Sequence, residues 1–172
     1  MTTATSTVKL YSFGLSNVKT YIFAVIFIIG NLLLPQLIHG IPQGGLIFLP
    51  IYFFTLIAAY KYGVYAGLLT GMLSPVINHI LFGMPPVHVL PAILVKSVIL
   101  AIAAAFAAKY FRKISIVGIL LAILTYQIIG TGIEWLLVKD FATAVQDFRL
   151  GIPGLLIQLL GGFLVLKAIE KV

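Results

Sequence analysis

Six long apolar segments make up most of this chain of 172 residues. Hydrophobic residues account for 62% of the sequence and charged residues for only 9%, with a mean hydropathy of +1.18. A soluble domain of this size cannot remove so much apolar surface from water. Because a helix needs about 20 apolar residues to cross a bilayer, we predict an all-α integral membrane protein, a bundle of six helices. The segments are residues 20–38, 46–60, 64–82, 89–108, 115–137 and 151–167.

Basic residues are distributed unequally between the two sides of these segments. Eight lie on the side that holds both termini, two lie on the other side, and Lys96 lies inside a segment. Cytoplasmic loops are enriched in Lys and Arg, so we predict that both termini are cytoplasmic. Residues 1–19 then form a cytoplasmic tail, and residues 20–172 form the six-helix membrane domain. The net charge of +7 reflects this topology, and we expect the lipid bilayer, not nucleic acid, as the surrounding partner.

Polar residues inside the apolar segments cluster in the half nearer the outer face. Such residues are costly in hydrocarbon and mark functional sites by default. Helical spacing aligns them into stripes, such as Gln127, Thr131 and Glu134 at i, i+4 and i+7. We predict an outward-facing pocket for a small molecule, with a purely structural network of interhelical hydrogen bonds as the alternative. The predicted substrate-binding residues are Asn31, His39, Tyr52, Asn78, His79, Lys96, Gln127, Glu134 and Gln158.

Lys96 is the leading candidate among these residues. It lies eight residues after His88, which places it about 12 Å along the helix. A buried ammonium needs a partner, and Glu134 is the only acidic residue inside an apolar segment. The pair could join two helices, Lys96 could meet an anionic group of a ligand, or a ligand could compete for the pair.

Motifs for catalysis, nucleotide binding and metal binding are missing from the sequence. The chain has no cysteine, and its three histidines form no i, i+4 pair, so we predict no metal and no cofactor. P-loop, G-x-S-x-G and H-E-x-x-H patterns are absent. We therefore predict that the protein is not an enzyme. A membrane enzyme that uses His79, His88 and Glu134 remains a weaker alternative.

Small residues recur every four positions in the inner halves of two segments. Such spacing lets helix backbones approach closely. It indicates either packing within the chain or a docking face for another membrane subunit. The residues assigned to this coupling surface are Gly63, Gly67, Ala101, Ala104, Ala105 and Ala108.

Three connecting segments also carry patterns. Val8, Tyr11, Leu15 and Val18 recur at helical spacing and predict a short helix on the membrane surface. Residues 44–49, which precede Pro50, are expected to enter the membrane as extended chain. The outer loop at residues 139–150 carries Phe141, Val145 and Phe148 at i, i+4 and i+7, which predicts an amphipathic interfacial helix or a lid.

Three stretches of the chain resemble the substrate-binding S components of energy-coupling factor (ECF) transporters. They are IPQGGLIFLP at residues 41–50, AYKYGVYAG at residues 59–67 and SPVINHILFG at residues 74–83. Chain length, six predicted segments and a loop that can cover an outward pocket also match, so the resemblance covers residues 20–170. The family often carries an Ala-xxx-Ala docking motif in the first segment, whereas here Ala24 is followed by Ile28.

The resemblance implies a subunit that binds a vitamin or similar micronutrient in a prokaryotic plasma (inner) membrane. It further implies a transmembrane coupling subunit and two ABC ATPase subunits as partners, with toppling of the whole S component to release the ligand inward. A rival from another class is a structural six-helix membrane protein of the MreD type. A partner surface, not a polar pocket, would carry that function.

Overall fold

The computed structural model describes residues 9–171, and this part of the chain is built from helices. The helices are α1 (Val18–Leu37), α2 (Gly44–Phe48), α3 (Phe53–Tyr62), α4 (Val64–Phe82), α5 (Leu90–Phe111), α6 (Ile116–Val138), α7 (Phe141–Ala144), α8 (Gln146–Arg149), α9 (Ile152–Leu156) and α10 (Gly162–Ala168). A 3₁₀ turn (Pro50–Tyr52) precedes α3, and a π-helical segment (Ile157–Gly161) joins α9 to α10.

Four helices, α1, α4, α5 and α6, are long and apolar enough to cross a membrane. Two of them begin at side-chain caps that the sequence provides, because Asn17 accepts a hydrogen bond from the Lys19 N–H and Ser115 accepts one from the Gly118 N–H. These helices have the composition of a helical membrane protein, as the sequence predicted. The helix from Ile152 to Ala168 is apolar but shorter.

The short helix α3 lies at the centre of the bundle, where it contacts α1, α4, α5 and α10. Its residues from Thr55 to Tyr62 are all buried. Small residues on the neighbouring helix permit this packing: a Cβ at Gly67 would lie 2.4 Å from the Ala59 Cβ, and one at Gly71 would lie 2.9 Å from Thr55. The backbones of α3 and α4 therefore approach each other closely in the core of the bundle.

Several residues of the predicted coupling surface take part in this packing. Ala101 and Ala104 are fully buried, Ala108 is buried, and Ala105 is half-buried. Gly67 packs against Ala59 and Ala101, and Gly63 lies under the backbone of residues 11–13. Gly63, Gly67 and Ala101 therefore make contacts within the chain, which is one of the two alternatives that the sequence left open.

The second apolar segment is not one continuous helix. Gln43 and Leu49 both have a positive φ, at 57° and 47°, so α2 is separated from both the preceding turn and the 3₁₀ turn. The expectation of extended chain at residues 44–49 is wrong, because Gly44–Phe48 closes one helical turn. The second apolar segment therefore consists of the short helix α2, the 3₁₀ turn and α3, with a sharp bend in the backbone at Leu49.

The two ends of the described part of the chain, at Lys9 and Glu170, meet at the end of the bundle opposite these short helices. The Tyr11 N–H donates to the Lys61 carbonyl at 2.8 Å, and the Lys61 Nζ donates to the carbonyls of Lys9 at 2.6 Å and Glu170 at 3.1 Å. Residues 9–14 are thus not helical, and the predicted surface helix is wrong for the part that includes Tyr11; Val8 lies outside the described residues. Backbone pairing with the end of α3 outweighs the helical periodicity.

Replacing Gly67 by Ala tests the close packing of α3 and α4. The added Cβ would overlap Ala59, including its Cα at 2.8 Å, so the helices must separate. We expect a loss of about 1–3 kcal/mol in the free energy of unfolding, typical of overpacking. The matched control is Gly132→Ala on α6, where no atom lies within 4 Å of the new Cβ. Equal stability of the Gly67→Ala variant and the wild type in bicelle unfolding assays would contradict this packing.

Candidate functional site

Lys96 lies at the centre of a buried cluster of three charged side chains. Its Nζ is 2.5 Å from the Glu134 Oε2 and 2.6 Å from the Asp147 Oδ2, and all three side chains are less than a tenth exposed. The predicted Lys96–Glu134 pair is therefore confirmed, and Asp147 is an additional partner. Gly130, one turn before Glu134, makes room for the lysine stem, because a Cβ there would lie 2.5 Å from the Lys96 Cγ.

Asp147 reaches Lys96 from the connection between α6 and α9. This connection, which we call the cap segment, comprises residues 140–149 and contains α7 and α8. Its buried residues are Ala144 and Asp147, whereas Phe141 and Phe148 are exposed. Val145, the third residue of the predicted apolar stripe, is half-buried, and the Phe141 ring packs edge-on against Trp135 of α6, while Asp147 points inward to Lys96.

The start of the cap segment is fixed by a local capping interaction. The Asp140 carboxylate accepts hydrogen bonds from the Thr143 hydroxyl and from the N–H groups of Ala142 and Thr143. These bonds, led by the one from the Thr143 side chain, lower the pKa of Asp140. A carboxylate at the N-terminus of a helix suits the helix dipole, so Asp140 stabilises the turn that delivers Asp147.

Two adjoining cavities lie between the cluster and the short helix α2. The inner cavity has a volume of about 80 Å³ and is lined by the three charged residues, Tyr52 and apolar groups. The second has a volume of about 250 Å³ and is lined by Pro35, Asn78 and the loop around Pro85, among others. The cavities share Gly45, Leu46, Ile51, Val89 and Ile93. A modest movement of α2 would merge them into one pocket.

Several buried polar atoms near the cluster have no hydrogen-bond partner. They are the Ser97 Oγ, both amide atoms of Gln127, the Thr131 Oγ1 and the Gln158 Nε2. Gln127 is fully buried, and the Oε1 of Gln158 accepts a hydrogen bond from the Tyr126 hydroxyl at 3.0 Å. Unsatisfied buried polar groups are rare and costly in native proteins. Their number inside the bundle favours a site that a ligand or water completes.

The π-helical segment turns Gln158 into this interior. Gln158 is fully buried at the second position of the segment. π-bulges are rare and occur frequently at functional sites. Tyr126, the partner of Gln158, also has its ring 5.1 Å from that of Tyr52. Tyr52, Tyr126 and Gln158 therefore form a connected polar and aromatic group, in which Tyr52 also lines the cavity beside the ion cluster.

The remaining predicted site residues lie apart from the cluster. Asn31 uses both amide hydrogens, donating to Thr55 at 3.1 Å and Ser74 at 3.3 Å, and its Oδ1 accepts from the Phe54 N–H. It therefore joins α1, α3 and α4, a structural role that leaves no free amide hydrogen for a ligand. Asn78 accepts a hydrogen bond from Gln36 at the rim of the second cavity.

The two predicted histidines are peripheral. His39 is exposed in the turn after α1. His79 is half-buried, and its Nδ1 is 2.8 Å from the Pro85 carbonyl, which joins α4 to the following loop. Both therefore lie in loop contacts at the edge of the site.

Asp147 is the member of the buried ion cluster that the sequence did not predict. Asp147 lies one residue before Phe148 in the loop for which the sequence predicts an amphipathic helix or a lid. An acidic residue in a loop is ordinarily solvated, however, and only the folded cap segment shows that it reaches Lys96.

Comparison of the chain with protein-family models, curated proteins and solved structures found no match. Function is therefore inferred from the residues of the site.

Replacing Lys96 by Met should destabilise the protein strongly. Glu134 and Asp147 would remain buried without a counter-ion, and breaking a buried ion pair in this way costs about 3–5 kcal/mol. The matched control is Lys167→Met, which removes the partly exposed pair with Glu170 and should cost less than about 1 kcal/mol. Denaturant unfolding in bicelles measures both. Similar small losses in the two variants would show that the cluster is not a buried, mutually dependent unit.

Proposed function

We propose that this protein is the membrane-embedded substrate-binding subunit of an ECF-type ABC importer that captures a vitamin or similar micronutrient. The observation that carries the proposal is the buried Lys96 cluster with unpaired polar groups beside it and two cavities above it. A bundle that needed only rigidity would pair these groups with one another or replace them by apolar residues. A binding site must instead keep polar atoms available for its ligand.

In this proposal the chain crosses the plasma membrane of a prokaryote six times, with both termini in the cytoplasm. The continuous helix from Ile152 to Ala168 has 17 residues and spans about 25 Å, close to the thickness of the hydrocarbon core. The α3 crossing is completed by α2 and the 3₁₀ turn. Such irregular backbone is tolerated at membrane depth where it is packed in protein, and Pro50, Ile51 and Tyr52 are all buried.

Ligand entry in this proposal requires movement of the cap segment. Asp147 is bonded to Lys96, and Gln146 beside it lines the inner cavity. The structure thus corresponds to a closed site, and opening it means separating Asp147 from Lys96. The chain itself carries no nucleotide-binding motif, so release to the cytoplasm depends on a coupling subunit and two ABC ATPase subunits.

We assign the docking surface for the coupling subunit to the exposed face of α5 and not to the buried alanines of this helix. Ile102, Phe106 and Tyr110 recur every four residues and are all exposed. They line a groove of about 740 Å³ between α5 and α6. Its position in the inner half, away from the ion cluster, leaves the binding site free while a partner docks.

The structural alternative of the MreD type has one observation in its favour. The network around Asn31 shows that some polar residues in this bundle only join helices. A structural protein has no use for the unpaired Gln127, however. Recovery of a small molecule separates the two functions.

Single cysteines introduced into the cysteine-free chain test the orientation. We expect an impermeant thiol reagent to label His39→Cys and Val87→Cys in intact cells, because both residues are exposed at the end of the bundle assigned to the outside. Lys113→Cys, exposed at the opposite end, is the control and should be labelled only after the cells are permeabilised. The reverse pattern would overturn the topology.

The isolated chain should bind its ligand but not transport it. Native mass spectrometry of the protein released from nanodiscs should detect a bound small molecule. Gln127→Leu should lower the fraction of protein that carries this molecule, because the variant lacks the buried amide that is proposed to bind it. Gln36→Leu, which removes the hydrogen bond from Gln36 to Asn78, is the comparison and should retain more ligand. Uptake into liposomes by this chain alone, with or without an ion gradient, would contradict the proposal.

A further inference from the structure

The charges around Lys96 do not balance. One ammonium faces two carboxylates, Glu134 and Asp147, and all three side chains are buried. Among residues 9–171, no other basic side chain is ion-paired with either carboxylate. Two other basic side chains are close to the cluster, and both are exposed. His88 lines a groove that also contains Glu134, and Arg149 lies two residues after Asp147 in the chain. The two carboxylates therefore share one ammonium, and with both of them ionised the closed site holds one negative charge in excess.

We propose that the ligand of this site carries a positively charged N–H group, such as a protonated amine or amidine, that pairs with Glu134 and Asp147. This inference rests on the proposed binding function and adds the sign of the ligand's charge. A buried charge is stable only when it is paired. The arrangement therefore favours a second cation over an anion, which would compete with two carboxylates for Lys96.

The groups that surround the inner cavity suit an organic cation. Tyr52 is 2% exposed and lines the cavity together with the three charged residues. A phenolic oxygen accepts a hydrogen bond from an N–H donor, and the rings of Tyr52 and Tyr126, 5.1 Å apart, attract cations. The unpaired Oε1 of Gln127 offers a further acceptor deeper in the bundle.

The rest of the ligand occupies the second, largely apolar cavity. The two cavities, of about 80 Å³ and 250 Å³, together reach the lower end of the size range of small-molecule pockets, roughly 300–1,000 Å³. Pro35, Ile93 and Met84 line the larger cavity, and Asn78 supplies a polar contact. The site thus fits a small molecule with a cationic group at one end and an apolar or ring-shaped body.

Three probes of one shape and different charge test the inference. The full chain in nanodiscs is titrated with benzylamine, benzyl alcohol or benzoate, and thermal unfolding reports binding. We expect a Kd for benzylamine at least about tenfold lower than that for benzyl alcohol, and no measurable binding of benzoate, because only the amine supplies the missing counter-ion. Preferential binding of benzoate, equal binding of all three probes, or no binding of any of them would overturn the inference.

Isosteric variants test whether the two carboxylates cause this preference. Glu134→Gln and Asp147→Asn each leave one ammonium opposite one carboxylate, so benzylamine should lose its advantage over benzyl alcohol. Glu170→Gln, at the opposite end of the bundle, is the control and should retain the preference. If one of the two cluster variants fails to fold, the other variant still tests whether the carboxylates cause the preference for the amine. Unchanged preference in a folded cluster variant would contradict the assignment.

The outcome can be separated from that of the proposed function. Recovery of an anionic molecule from the purified protein would support a binding subunit and overturn only the charge inferred for its ligand. Absence of a recovered molecule together with no binding of the three probes would contradict both.

Discussion

The ion cluster around Lys96 is the interaction on which this end of the bundle depends. Charges removed from water are tolerated only when they are paired, so Lys96 must recruit Glu134 from α6 and Asp147 from the cap segment. Gly130 on α6 leaves room for the lysine stem. The capped turn at Asp140 delivers Asp147. Helix packing, cap placement and cavity closure therefore follow from one buried ammonium.

The sequence predicts the long helices well, because their apolar composition determines them locally. It also predicts the Lys96–Glu134 pair, since two opposite charges inside apolar segments have few other partners. It could not predict Asp147, whose burial depends on how the cap segment folds back. Nor could it tell that Gly67 and Ala101 pack inward, because small-residue spacing is identical for an internal contact and a docking face.

The misassigned segments share a physical cause. Helical periodicity near Tyr11 was overridden by backbone hydrogen bonding to the end of α3, and the segment before Pro50 closed a helical turn between two residues of positive φ. Both segments lie where the chain must satisfy backbone groups beside a buried helix. The π-helical segment that contains Gln158 was likewise not predicted, since the helix propensities of its residues do not encode it.

The central claim is that the Lys96–Asp147 bond holds the cap segment over a binding site. Hydrogen–deuterium exchange of wild type and Asp147→Asn in nanodiscs tests it most directly. The account predicts faster exchange in residues 141–150 of the variant, with unchanged protection in the interiors of α5 and α6, because only the cap loses its charged anchor. Unchanged exchange in the cap segment, or equal acceleration throughout the bundle, would contradict the claim.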